Sequence, residues 1–379
     1  MRNYLPSFIK PVLRFLFYKE QRKKVLREIH IRKQQDILIK QFDPSAKSLI
    51  VFLVQGADWA LGRDIVSGGA ISIVSICEET NRLKEIHGAE VIMATFPDQH
   101  LLLKHTQFEN NTTVFRYSQL KTYFQKAEQM LFHLPEFMCS YFVEKINRKE
   151  KYWLNNISDV NINILNQNIL LMPSLEVIEW FRKKYKSVTI STAHDKYCNQ
   201  EFRNFYNVPL HKLSVWISPE QYTFKQWNEK EDLIIVSPDQ HSMKAEIMKL
   251  LEGVEGLKVQ VIQNLTYQDY KILIARAKWS LTFGEGLDGY FIEPIFSGAI
   301  GFAIYNEQFF TPDFSLLQTI YSNINSLKEK IIVDIQLLNN EFSFKVCQQK
   351  QYNLCSKYYS KEQYVKNLSA FYHHQYTYA

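Results

Sequence analysis

Glycine is scarce in this chain, at 12 of 379 residues, and it is accompanied by only 11 prolines and 5 cysteines. Composition of that kind excludes collagen-like, Gly/Ser-linker and proline-rich architectures. The cysteines (Cys77, Cys139, Cys198, Cys347, Cys355) are odd in number and form no C-x-x-C pair. That argues for a reducing compartment, and against a disulfide framework or a structural zinc site. No run reaches the ~18 uninterrupted apolar residues of a transmembrane helix. There is no D-x-D at a strand end either: Asp58, Asp64 and Asp288 stand isolated.

What is present is an ordinary globular balance, 46% hydrophobic and 22% charged, with a high aromatic share of 14%. At this length two domains are expected. The net charge of +6 is unevenly placed: residues 1–33 carry ten Lys/Arg and two Glu, leaving a body close to neutral. A nucleic-acid-binding surface would show a basic stripe on the folded body, and none is visible, so no nucleic-acid partner is expected. The start resembles a signal peptide only superficially, because Lys10, Pro11 and Arg14 interrupt its apolar run and no small-residue cleavage site follows. Residues 1–33 read instead as a basic, amphipathic arm for an anionic membrane surface, with Phe8, Leu13, Phe15, Leu16 and Phe17 as apolar anchors. A solvated basic helix packed on its own protein is the plainer alternative.

Beyond the arm, short apolar, β-branched-rich runs alternate with amphipathic helical patterns. Strands are expected at 47–55 (KSLIVFLVQ), 89–96 (AEVIMATF), 168–173 (NILLMP) and 186–194 (KSVTISTAH), with helices from Ser67 onward, between the second and third strands, and over 174–185. A polar, aperiodic stretch at 217–232 marks a linker. The alternation then restarts with DLIIVSP, SMKAEIMKLLEGV, LKVQVI, TYQDYKILIARA, WSLTF, YFIEPIFSG and AIGFAIY. This is the pattern of an α/β protein with two Rossmann-like domains facing a cleft. The expected organisation is an arm (1–33), an N-terminal acceptor-side domain (34–220), a C-terminal nucleotide-sugar-binding domain (221–355) and a C-terminal helix (356–379) that packs back on the first domain.

Five of the twelve glycines fall in SLTFGEGLDGYFIEPIFSGAIGFAIY, residues 280–305. Here a strand, a glycine-rich turn and a helix carry Glu285 and Glu293, with seven residues between them. Glycines let backbone approach a ligand, and free N–H groups at a helix start attract anions. A carboxylate suits a diol, since both oxygens accept and neither competes as a donor. The plain alternative is a loop charge and a helix-terminal charge.

The segment resembles the E-x7-E signature of retaining nucleotide-sugar glycosyltransferases with the GT-B fold. Three positions depart from the usual form: Asp288 stands where glycine is common, Pro294 follows the second glutamate, and Ile300-Gly301 replaces Pro-Val. The resemblance implies that Glu285 contacts the donor sugar and Glu293 the nucleotide ribose. It also implies that amides around Gly286 and Leu287 face sugar or phosphates. Lys244 is the candidate for the diphosphate, with Ser237 and Pro238 near the place of the usual arginine and His241 a possible assistant. In the N-terminal half Gly68 and Gly69 match a glycine-rich loop that approaches the donor phosphates. His194 follows a strand, next to Asp195, and is a candidate to touch sugar or acceptor; His133 is its rival.

The activity so implied is transfer of a sugar from a nucleoside diphosphate sugar to a hydroxyl of a glycan or lipid-linked glycan, with retention. Glu285 and His194 are the expected catalytic residues, and no metal or other cofactor is expected. By family habit, the setting is bacterial polysaccharide or lipopolysaccharide assembly in the cytoplasm or on the inner membrane face. A non-catalytic partner subunit of the same fold, binding a glycan or a sister enzyme, is the alternative, motivated by the missing arginine.

Overall fold

The computed structural model describes residues 19–54, 57–58, 63–64, 68–96 and 112–379. Seven strands form one sheet: β1 (Ser48–Val54), β2 (Glu90–Thr95), β3 (Val114–Arg116), β4 (Gln129–Pro135), β5 (Asp159–Asn166), β6 (Ser187–Thr192) and β7 (Leu210–Lys212), in the order 3-2-1-4-5-6-7. Five more form a second: β8 (Glu231–Val236), β9 (Lys258–Val261), β10 (Ala277–Leu281), β11 (Ile300–Ile304) and β12 (Ile320–Tyr321), in the order 9-8-10-11-12. Each pairing of the second sheet is parallel, as are those of β1 with β2 and β4. The class is α/β with parallel sheets, as the alternating pattern implies.

Burial on both faces explains why these strands read as unbroken apolar runs. Alternate residues of β8 point to opposite sides: Leu233 and Ile235 join one hydrophobic cluster with Phe291 and Ile295, Ile234 and Val236 another with Trp279 and Leu281. Gln351, fully buried on the Glu341–Tyr358 helix, accepts from the Gly301 N–H (2.9 Å) and donates to Gly301 O (2.7 Å) and Thr319 Oγ1 (2.6 Å). A Cβ on Gly301 would lie 2.8 Å from the Phe291 ring. That accounts for glycine at one of the positions that depart from the E-x7-E pattern.

Two compact units follow from the packing. One contains the described residues up to Ile162 together with Phe181–Ser187; the other takes Asn163–Trp180 and Val188–Ala379. In the second, the chain end is fastened to β7: Leu210 bridges Tyr378, and His211 Nε2 meets Asn367 O at 2.8 Å.

Two expectations require correction. The strand expected at 168–173 lies earlier, at Asp159–Asn166, and Ile169–Leu171 is instead a 3-10 turn. The asparagines of that strand look like turn residues in sequence. In the sheet, however, the fully buried Asn163 accepts from Thr189 and Ser191 hydroxyls, both at 3.0 Å, which satisfies it. The stretch expected to be helical after β2 holds, in its described part, the strands β3 and β4 as well as helices. His133 lies in β4, buried and stacked on Phe52 with ring centroids 4.3 Å apart, and burial pushes its imidazole down to about 3. It is a core histidine.

The apolar anchors assigned to the arm lie outside the described residues. Lys19–Leu38 is one helix whose charges surround it rather than gathering on one face. Its end is tied down by Gln35 donating to Val114 O (2.5 Å) and by Arg116 donating to Asp36 (2.7 Å). Among the described residues no helix is long and apolar enough to cross a membrane.

Candidate functional site

In open parallel sheets, ligands sit beyond the carboxyl ends of the strands where the strand order reverses. In the second sheet that point lies between β8 and β10, so the segments to inspect are Ser237–Asp239 and Thr282–Glu285. They are tied together: Ser237 N–H donates to Leu281 O (2.9 Å), and Ser237 Oγ accepts from Phe283 N–H (3.1 Å). Lys244, first residue of the Lys244–Glu252 helix, donates through Nζ to Ser237 O (2.6 Å) and Asp239 O (2.8 Å). Burial lowers its ammonium below the usual lysine value, with Asp239 opposing. His241 Nδ1 accepts from Met243 N–H at 3.1 Å.

The loop after β10 is shaped by glycine and by carboxylates. Gly286 has φ +88°, and a Cβ there would lie 2.4 Å from Phe310 Cε2 and 2.9 Å from Ile304 O. Only glycine meets both conditions. Leu287 turns its side chain into the core. The backbone N–H groups of Glu285, Gly286, Leu287 and Asp288 have no hydrogen-bond partner among the described residues. Four consecutive free donors on a glycine turn are available to ligand oxygens. Asp288, which departs from the family pattern, caps the Gly289–Phe296 helix by accepting from Phe291 N–H (3.2 Å), and also accepts from Thr282 Oγ1 (3.2 Å). A side chain able to cap a helix start replaces glycine for that reason.

Three carboxyls meet around Gly284. A Cβ at that position would lie 2.8 Å from Asp239 Oδ2 and 3.2 Å from Asp288 Oδ2, and Glu285 extends from the next residue. Burial, then Asp239, pushes Glu285 up to about 7, while a hydrogen bond from the Asn168 side-chain amide holds it down. Burial, then Asp239 and Glu285, pushes Asp288 up to about 7.

Glu293 lies in an aromatic cage. It is 6% exposed and accepts from Tyr267 OH at 3.3 Å. Tyr222, whose hydroxyl is 3.1 Å from that of Tyr267, also hydrogen-bonds the carboxyl. Trp216 packs edge-on to Tyr267 (6.1 Å), Tyr270 stacks on Tyr267 (6.1 Å) and Tyr290 meets Tyr270 (6.0 Å). Burial pushes Glu293 up to about 8 against the two tyrosine hydrogen bonds. With its proton retained up to about pH 8, this carboxyl offers a carbonyl oxygen that accepts and an O–H that donates, so it can pair with a further hydroxyl.

His194 follows β6 and is half-buried. Burial first, and Lys212 second, push its imidazole down to about 4, so the ring is neutral at physiological pH. Its ring lies 5.5 Å from that of Phe309, and the next residue, Phe310, is the one that closes over Gly286. Asp195 pairs with Lys212 at 3.0 Å. Gly68 and Gly69 are the first two residues of the Gly68–Arg82 helix in the other compact unit, not a loop before it. None of the described residues lies within 4 Å of a Cβ built on Gly68. The fold gathers Glu285, Gly286, Leu287, Glu293 and Lys244 within the second unit, which also contains His194.

Sequence reading missed Asn168, Asp239 and the tyrosine cage. Tyr267 and Tyr270, three apart on a helix capped by Thr266, share a face, and that spacing was a usable signal. Asn168 carried none, because its partner is 117 positions away.

No protein-family model matches the chain, and no curated protein matches it significantly in sequence. Solved structures do resemble it. Anabaena Alr3699/HepE, crystallised with UDP and glucose, has a TM-score of 0.52 over 86% of this chain and 99% of its own, at 10% identity. Sucrose-phosphate synthase from Thermosynechococcus elongatus has 0.53 over 86% and 99%, also at 10% identity. A Listeria monocytogenes protein assigned as a UDP-N-acetylglucosamine 2-epimerase has 0.52 over 87% and 97%, again at 10% identity. The likeness is one of fold: the chain has the GT-B fold that these structures share.

Proposed function

We propose that the protein is a glycosyltransferase that moves a sugar from a nucleoside diphosphate sugar to a hydroxyl of a glycan or lipid-linked glycan, with retention at the anomeric carbon. The observation that carries this reading is the pairing of Glu285 and Glu293 across a turn with four unpaired amides, at the strand-order reversal of a parallel sheet. On this reading Glu293 accepts from the ribose hydroxyls, and the surrounding tyrosines line the nucleoside pocket. Glu285 accepts from a donor-sugar hydroxyl, steadied by Asn168. The free amides at Glu285–Asp288 and the remaining Lys244 proton meet sugar and phosphate oxygens. Such prearranged donors stabilise the charge that develops on the leaving diphosphate. The bond from the anomeric carbon to the phosphate oxygen breaks, its electrons staying on that oxygen. The acceptor oxygen bonds to the same face, and its proton passes to the diphosphate. His194, neutral at physiological pH, contacts sugar or acceptor. Gly68 and Gly69 bring backbone to the phosphates, no metal or cofactor takes part, and the basic arm rests on an anionic membrane surface on the cytoplasmic side.

UDP sugars are the first donors to try, since the Anabaena protein is solved with UDP-glucose. The test is a thermal-shift panel of UDP, GDP, CMP, dTDP and ADP with their sugar conjugates. A ligand at 100 times its Kd stabilises by ~2.7 kcal/mol, and at roughly 2–4 °C per kcal/mol that is several degrees. Silence from the whole panel would overturn the proposal. The acidic crowding of Asp239, Glu285 and Asp288 favours one second reading, a nucleotide-binding partner subunit without turnover. Nucleotide binding without release of the nucleoside diphosphate from any donor would point to it. Likeness to an epimerase adds a product check: a changed free sugar nucleotide in place of a glycoside.

A further inference from the structure

An open cleft of about 580 Å³ is lined by Lys121, Gln125, Arg148, Lys149, Tyr152, Trp153 and Asn156. We propose that this cleft binds an anionic saccharide, a sugar chain bearing carboxylate or sulfate groups. Its lining holds three cations and no carboxylate. Lys121, Arg148 and Lys149 form no ion pair among the described residues. The nearest acid along the chain, Glu150, is turned back to accept from the Asn147 N–H at 2.9 Å. Unpaired cations at a concave surface are complementary to an anion and lose no internal partner on binding it.

The aromatics decide for a saccharide over a bare anion. Trp153, 9% exposed, is part of the lining and packs edge-on against Tyr117 at 6.1 Å. Tyr152 beside it is 71% exposed, a large apolar ring kept in water with a polar tip. Flat rings next to amides suit the apolar face and the hydroxyl rim of a pyranose. The amides here are Gln125, whose Nε2 is engaged with Thr122 O at 3.1 Å while Oε1 remains available, and Asn156. The cleft belongs to a different compact unit from Glu285 and Glu293, and the proposal does not rest on the transferase reading.

The experiment is calorimetric titration of the full chain with tetragalacturonate, with maltotetraose as the neutral counterpart, alongside co-sedimentation with phosphatidylglycerol vesicles. The variants are the triple substitution K121Q/R148Q/K149Q and, separately, Tyr152→Ala. None of these side chains has a hydrogen bond or ion pair among the described residues, and an unchanged Tm checks that both variants fold. The expected result is binding of tetragalacturonate but not maltotetraose, weakened at least about tenfold by the triple substitution, as loss of charged hydrogen bonds predicts. Tyr152→Ala weakens it severalfold, with vesicle binding unchanged in both variants. Equal binding by wild type and triple variant would overturn the proposal. So would indifference to Tyr152→Ala, or loss of vesicle binding in the triple variant without any saccharide binding, which would make the cleft a lipid-headgroup site.

Discussion

The side-chain amide of Asn168 donates to the carboxylate of Glu285. Asn168 is itself held in place, since its Oδ1 accepts from Leu170 N–H at 2.9 Å in the turn that follows β5. Glu285, the residue proposed to read the donor sugar, is therefore positioned by a side chain far away in sequence. Asn168→Ala should leave UDP affinity unchanged and weaken UDP-glucose binding by ~1.5–3 kcal/mol, the range for a hydrogen bond to a charged group. Titrating both ligands checks this. Equal losses for the two would show that Asn168 supports the whole site and not the sugar subsite.

Glu293 makes stability depend on pH. Its carboxyl is raised from 4.5 to about 8, so the folded chain holds this proton more tightly than the unfolded chain does. The resulting stabilisation is complete below the unfolded value and is lost as pH rises through the folded one. Glu285 and Asp288, both raised to about 7, act in the same direction over a lower window. The Tm should therefore fall from about pH 5 to about pH 8.5, and Glu293→Gln should flatten the upper part of that fall. The same variant should bind UDP about tenfold more weakly, equivalent to ~1.4 kcal/mol. An unchanged UDP affinity would remove the ribose role.

Gly286 and Gly68 should respond oppositely to alanine. At Gly286 the new Cβ meets Phe310 and Ile304 O at a positive φ, and Gly286→Ala should cost about 2–4 kcal/mol from strain and overpacking combined. At Gly68 the space is open, so Gly68→Ala should leave the Tm unchanged or slightly raised while weakening donor binding. Thermal melts with and without UDP separate these effects. A Gly68 variant with normal donor affinity would leave that glycine a plain helix start.

Lys244 already serves two carbonyls and keeps one proton to donate. Lys244→Met should weaken UDP about tenfold, the effect of one charged hydrogen bond, yet leave uridine binding unchanged, because the lost partner is the diphosphate. Parallel titrations with UDP and uridine check it. A matching loss for uridine would mean that Lys244 acts only by holding the Ser237–Asp239 turn.

Removing residues 1–33 cuts into the Lys19–Leu38 helix but spares Gln35 and Asp36, which tie its last turn to Val114 and Arg116. The shortened chain should therefore fold, bind UDP normally and lose its co-sedimentation with phosphatidylglycerol vesicles. Retained co-sedimentation would mean the arm is not the membrane contact.

Periodicity was enough to read the α/β class and the second sheet, because strands buried on both faces leave unbroken apolar runs between amphipathic helices. The turn carrying Glu285 and Glu293 was legible for a related reason: closely spaced glycines in a glycine-poor chain mark a local backbone need, and Gly286 shows it. Asp288 looked like a flaw in that pattern and proved to be a helix cap. The β5 strand was not legible, since its buried Asn163 is satisfied by Thr189 and Ser191 on the neighbouring strand. The tertiary structure alone decided that Asn168 steadies Glu285, that Asp239 crowds it, and that Tyr222 and Tyr267 enclose Glu293. Each of these contacts joins residues distant along the chain, and the burial that moves the carboxyl pKa values exists only once the chain has packed around them.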